Sequence, residues 1–221
     1  MNGFRAGGTL ATVAAALVLS LAAAHAAPPT PADIATLCAS AEDQSHCGRL
    51  VEAWQMPRLP GLATRTGDEL RVTLFPSGVA TFRDEVRITG AQTYALWDAL
   101  DRINGVVLFT TDGDRSGFLL VMRNSGRQVR LPAEPVLSPD RQYLVTADFC
   151  ASGCDNEVAL WRVTREDVRK DRVLRPDGAW NDVVASWQGP DRLAIEYQRA
   201  GADAPQRMDV TLADPRWRPS R

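Results

Sequence analysis

Residues 137–163 read Leu-Ser-Pro-Asp-Arg-Gln-Tyr-Leu-Val-Thr-Ala-Asp-Phe-Cys-Ala-Ser-Gly-Cys-Asp-Asn-Glu-Val-Ala-Leu-Trp-Arg-Val. The turn Ser138-Pro139-Asp140 opens an apolar strand at 142–149, and a second strand follows at 157–164. Two runs rich in β-branched and aromatic residues, joined by a short polar loop, form a β-hairpin. The loop carries Cys150 and Cys154, placed to clip it shut.

The same grammar extends both ways. Upstream, 69–75 and 79–83 flank the turn Pro76-Ser77-Gly78, and the apolar run 106–111 ends at Asp112-Gly113-Asp114. Residues 118–123 return from that turn, and Asn124-Ser125-Gly126 leads into 128–131. Residues 93–100 fit either a strand or one short helix. Downstream, 167–174 reads as an edge strand. Residues 183–187 and 192–198 pair across Gly189-Pro190-Asp191, and 207–212 is a last strand. Short strands with turn signals every eight to twelve residues mark an all-β arrangement.

Only the N-terminal part has helical period. Thr30-Pro31-Ala32-Asp33 is a helix start, with Thr30 as cap, Pro31 where no N–H is needed and an acid in the first turn. Ile34, Leu37, Cys38 and Ala41 follow on one face. Ser45 is placed to cap a second helix with Cys47, Leu50, Val51 and Trp54 on its apolar face, ended by Pro57. Both Cys fall on apolar faces, which suits a clipped αα-hairpin.

Residues 1–26 have the pattern of a signal peptide. Arg5 precedes the apolar run 10–24, and Ala24-His25-Ala26 fits a small-x-small cleavage site. The expected division is 1–26 signal peptide, 27–57 helical hairpin, 58–215 β domain and 216–221 a frayed basic tail. The expected location is periplasmic or secreted, with no membrane insertion after cleavage. Four Cys in an oxidising compartment imply disulfides. Local pairing, Cys38–Cys47 and Cys150–Cys154, is favoured over cross-pairing of the two segments.

The whole chain has 25 basic and 27 acidic residues, a formal charge of -2 and 45% hydrophobic residues. No basic block points to nucleic acid. Lys170 is the only Lys, and the Arg residues are scattered. Beyond the signal segment His46 is the only His, which excludes multi-His metal sites. No Gly-x-Ser-x-Gly, Ser-x-x-Lys, His-Glu-x-x-His or P-loop pattern occurs. Asp112, Asp114 and Ser116, followed by Gly117, match the first half of a calcium loop, but Arg123 stands where a closing acid belongs. A hairpin turn accounts for the same residues, leaving calcium as the one cofactor considered.

Leu137-Ser138-Pro139-Asp140-Arg141 and Gln188-Gly189-Pro190-Asp191-Arg192 both place Pro-Asp-Arg before an apolar strand. Asp101-Arg102-Ile103-Asn104-Gly105 is a weaker third copy. Spacings of 40–50 residues suit propeller blades. Ser138-Pro139-Asp140, Val158-Ala159-Leu160-Trp161 and Leu96-Trp97-Asp98 resemble blade fragments of WD40-like and TolB-like β-propellers. That resemblance implies binding through loops and blade faces, and it carries no catalytic residues. The β region has length for three to four blades, few for a closed propeller.

The expected fold class is therefore mainly β. It is a partial or irregular β-propeller-like array of antiparallel hairpins, or alternatively a β-sandwich or barrel, with a small N-terminal αα-hairpin. The expected function is an exported β-rich module that binds a protein or envelope component, of inhibitor, immunity or assembly type. The alternative is an envelope polymer hydrolase, for which the sequence nominates no acidic pair.

Overall fold

The computed structural model describes residues 28–88 and 90–220, so the expected signal peptide at 1–26 lies outside the described residues. The chain is mainly β, with sixteen strands in four antiparallel sheets among the described residues. Helices α1 (Pro31–Leu37) and α2 (Gln44–Gln55) come first. Sheet 1 holds β1 (Ala63–Thr66), β2 (Glu69–Thr73) and β3 (Val79–Arg83). Sheet 2 holds β4 (Glu85–Arg87), β5 (Gly90–Leu100), β6 (Gly105–Asp112), β7 (Arg115–Met122) and β8 (Arg127–Leu131). Sheet 3 begins with β9 (Val136–Leu137), β10 (Tyr143–Asp148), β11 (Glu157–Val163) and β12 (Val168–Leu174). Sheet 4 holds β13 (Trp180–Trp187), β14 (Arg192–Arg199) and β15 (Gln206–Thr211). The last strand, β16 (Arg218–Pro219), returns to pair with β12 in sheet 3.

The sheets pack in series. Leu70, Val72 and Phe82 of sheet 1 meet Leu96, Val106 and Leu108 of sheet 2. The other face of sheet 2, through Trp97, Val107 and Leu120, meets Leu144, Trp161 and Val173 of sheet 3, with Val51 of α2 among them. The far face of sheet 3, through Val145, Val158 and Leu160, meets Leu193, Ile195 and Val210 of sheet 4. Sheets 2 and 3 are therefore covered on both faces, which explains why β6, β7, β10 and β11 read as continuous apolar runs rather than alternating ones. The outer face of sheet 1 carries Thr64, Arg71, Thr81 and Arg83, and that of sheet 4 carries Glu196, Arg207 and Asp209. Polar outer faces let the array stop at both ends without closing into a ring, as capping repeats do.

Both disulfides form in the local pairing, Cys38–Cys47 and Cys150–Cys154. Thr30 caps α1 with a reciprocal Asp33 bond, as its sequence signals. The second helix is capped by Asp43, not Ser45: Asp43 accepts the His46 N–H at 2.7 Å, while the Ser45 hydroxyl turns to Thr93 at 3.1 Å. The pairing Cys38–Cys47 closes nine residues. Replacing both with Ser is expected to lower stability by about 2–3 kcal/mol in urea unfolding, and a loss under about 1 kcal/mol would show that the helices hold α1 in place without it.

Two expectations at the C-terminal end are corrected. Residues 217–220 are not a frayed tail. Trp217 is 6% exposed in the sheet 3–sheet 4 core and donates its indole N–H to the Thr211 carbonyl at 2.9 Å. The Ser220 N–H bonds the Asp171 carbonyl at 3.0 Å. For the same reason β12 is not a bare edge strand, since Arg172 and Val173 are paired on both sides. A large indole with an apolar sheet face nearby outweighs the basic residues around it.

Candidate functional site

Chemistry at a site needs side chains that the fold has not already used, so the buried charges come first. The segment 93–100 of β5 pairs with β6 on one side, while β4 reaches only as far as Gln92 on the other. Its open edge is covered by side chains instead. Glu52 of α2 accepts the Leu96 N–H at 2.8 Å, and Gln55 donates to the Trp97 carbonyl at 2.9 Å. Asp84 accepts the Tyr94 N–H at 2.9 Å, and Arg65 donates to the Tyr94 carbonyl. Arg65 and Arg49 both pair with Glu52, and Arg49 also reaches Asp84. Burial pushes the Glu52 carboxyl above its ordinary value, against the pull of the Leu96 N–H and Arg49. This network covers a strand edge that would otherwise be open to pairing, and it is structural. Glu157, 1% exposed, is likewise consumed by Lys170 and Arg175.

A β-bulge in β5 between Leu96 and Asp98 inverts the alternation of the strand. Leu96 faces sheet 1, while Trp97 turns to sheet 3 and Asp98 lies opposite Val107 on that same side. Trp97 donates its indole N–H to Glu134 at 2.8 Å. Asp98 is 9% exposed, and burial pushes its carboxyl up to about 7, with Glu134 and Asp101 adding to the rise. The Glu134 carboxyl is also raised by burial, against the Trp97 bond. With Glu52 they make three acids with raised pKa, none nominated by sequence reasoning. The bulge that aims Asp98 inward leaves no signature in the residue types.

The calcium candidates do not gather. Asp112 stands opposite Arg115 and Ser116 opposite Thr111, on consecutive rungs of the β6–β7 ribbon. Asp114 lines a cleft of ≈ 460 Å³ beside the start of α2, with Asp43 and Ser45. Asp112 and Ser116 border another of ≈ 450 Å³, together with Arg115, Arg130 and Lys170. Three cations oppose a fourth. Among the described residues no group of three or more His, Cys, Asp or Glu could hold a metal ion.

The repeated Asp-Arg segments fare differently. Each falls where the chain passes between adjacent strands of its sheet: Asp101-Arg102 precedes β6, Asp140-Arg141 precedes β10 and Asp191-Arg192 opens β14. The first two meet. A pocket of ≈ 340 Å³ on the rim joining sheets 2 and 3 is lined by Arg102, Arg141 and Arg165, with Asp101, Asn104 and Asn124. Its walls are fixed by backbone turns. Asn104 sits at φ 53 and donates to Asn124 at 2.5 Å, while Arg123 holds its side-chain oxygen at 3.0 Å. Ser138 accepts the Tyr143 N–H at 3.0 Å and donates to Asp140 at 2.6 Å, a turn that leaves Arg141 at φ 66. The two sheets are tied at this rim by Asn124 to the Arg165 carbonyl at 3.4 Å and Ser125 to the Glu166 carbonyl at 2.7 Å. Among the described residues the guanidiniums of Arg102, Arg141 and Arg165 have no ion-pair or hydrogen-bond partner. Three exposed, unpaired cations from three loops thus share one concavity.

No family model, curated protein or solved structure matches the chain.

Proposed function

We propose that the chain is an exported, disulfide-clipped binding module of the bacterial envelope, engaging a protein or envelope component through the rim between sheets 2 and 3. One observation carries this reading: Arg102, Arg141 and Arg165 converge there without partners, while Glu52, Glu157 and Asp84 are spent on holding the fold. Unpaired arginines cost nothing to leave in water, and they are the side chains most suited to bidentate capture of an anionic group. The disulfides support an oxidising compartment. The WD40-like and TolB-like resemblance supports it as well, since loop rims are where such arrays bind. The test is capture from a periplasmic and envelope fraction by the tagged protein, beside the variant carrying Arg102→Ala, Arg141→Ala and Arg165→Ala. A defined partner retained by the first and lost by the second is expected; equal retention sinks the rim as the site.

The alternative reading, a hydrolase of an envelope polymer, gains a specific pair in Asp98 and Glu134, whose raised pKa values suit general acid work. Against it stands the position of Asp98, 9% exposed on the apolar face that meets sheet 3, where a polymer has little access. Turnover of purified cell-wall polymer that disappears in Asp98→Asn would put this reading first.

A further inference from the structure

We infer that the rim pocket of Arg102, Arg141 and Arg165 takes a phosphate monoester. The inference rests on reading this pocket as the binding site. A carboxylate offers two oxygens and is satisfied by a single guanidinium fork, whereas a monoester phosphate offers three terminal oxygens and carries more than one negative charge at neutral pH. Three forks brought in from three separate turns therefore exceed what one carboxylate can accept. The pocket volume of ≈ 340 Å³ is small, and Asn104 and Asn124 are bonded to one another at its wall, so it fits a compact head group rather than a long chain.

The surroundings separate this from general polyanion binding. The whole chain has a formal charge of -2, and acidic residues line or flank the pocket: Asp101 in its lining, exposed Asp140 in the Arg141 turn and exposed Glu166 next to Arg165. An extended anionic surface such as nucleic acid or a membrane would meet these acids as well as the arginines. A single phosphate on a small molecule, a sugar or a lipid headgroup meets the three arginines with Asp101 as the one acid in the pocket lining. Asp-Arg recurs at turns between adjacent strands in sheets 2 and 3, and the packing of the two sheets brings those turns to one pocket. The Asp shapes the turn, seen where Asp140 accepts the Gln142 N–H at 3.1 Å, and the Arg is left to face solvent.

The experiment is calorimetric titration of the full chain with inorganic phosphate, glycerol phosphate and acetate, and cosedimentation with vesicles of phosphatidic acid against phosphatidylcholine. Saturable binding of glycerol phosphate is expected, weakening with added salt and falling about tenfold or more in Arg141→Gln and in Arg102→Gln. Both variants are expected to melt with the wild type, since neither guanidinium has a partner among the described residues. Glycerol phosphate would identify a small monoester and phosphatidic acid vesicles alone a lipid headgroup, and each supports the inference, whereas inorganic phosphate bound with neither ester would overturn it. Acetate binding as tightly as phosphate, binding indifferent to all three arginines, or no binding in any arm would overturn it. If no phosphate binds while partner capture still depends on the rim arginines, the binding-module reading stands and the phosphate inference falls.

Discussion

Glu52→Ala is expected to lower the stability of the folded chain by about 3–5 kcal/mol at neutral pH, the loss typical of removing one partner from a buried ion pair. Glu52 is 4% exposed, and its carboxylate answers three needs. It takes the Leu96 N–H at 2.8 Å, Arg65 Nη2 at 3.0 Å and Arg49 at 3.1 Å. With alanine there, the Leu96 N–H faces the underside of α2 with no acceptor, and Arg65 keeps only the Tyr94 carbonyl and a longer approach to Asp84 at 3.8 Å. Asp84 remains to take Arg49, which moderates the loss. Glu52→Gln keeps an acceptor for the N–H and gives up the charge, so it should cost less than alanine. Urea unfolding of the three proteins measures this. If alanine costs under about 1 kcal/mol, or costs no more than glutamine, then α2 does not hold β5 through this carboxylate.

The prediction also shows where sequence reading succeeds and where it stops. Interior strands were legible because burial on both faces leaves apolar runs, as in Val106 to Phe109 and Phe118 to Met122. The segment 93–100 was ambiguous for a physical reason. It is a strand with a bulge, so its apolar pattern changes phase at Trp97 and matches neither period throughout. Glu52 lies on α2 between Val51 and Trp54, where a carboxylate on the rim of an apolar face looks solvated. Only the neighbouring open edge of β5 shows that it is buried. Trp217 was misread in the same way, since nothing in a five-residue basic end announces that β12 has a free edge to receive it.

The rim arginines were half legible. The repeat drew attention to Asp140-Arg141, Asp191-Arg192 and, more weakly, Asp101-Arg102. The sequence does not show that successive sheets bring two of these turns to one pocket, or that Arg165, from a turn outside the repeat, joins them. Convergence belongs to the stacking of sheets 2 and 3. Scattering along the chain is therefore poor evidence against an arginine cluster when the fold is a series of meanders, because packed sheets bring turns distant in sequence to one pocket.

Asp98→Asn is expected to stabilise the protein by about 2–4 kcal/mol at pH 8, while leaving it near the wild type at pH 4. The Asp98 carboxyl has its pKa pushed up by burial from its ordinary value of 3.8 to about 7, helped by the nearby acids Glu134 and Asp101, with the Ala99 backbone N–H opposing the rise. Below the unfolded value both states hold the proton, and the folded chain bears no penalty. Between the two values the unfolded chain releases its proton and the folded chain keeps it, so wild-type stability falls as pH rises, by at most about 1.4 kcal/mol per unit. Above the folded value Asp98 is charged against the apolar face of Val107 and Trp97, and the full loss has been taken. Asparagine keeps the shape and cannot ionise, so the difference between the two proteins should open across that window and stay level above it. Denaturant unfolding at intervals from pH 4 to pH 8 measures the difference. A parallel pair of curves would show that Asp98 is not desolvated in the fold, and would remove the acid on which the hydrolase alternative depends. A widening pair, with no polymer turnover in the wild type, assigns Asp98 to the energetics of the sheet 2–sheet 3 interface and leaves the rim as the place where the protein meets its ligand.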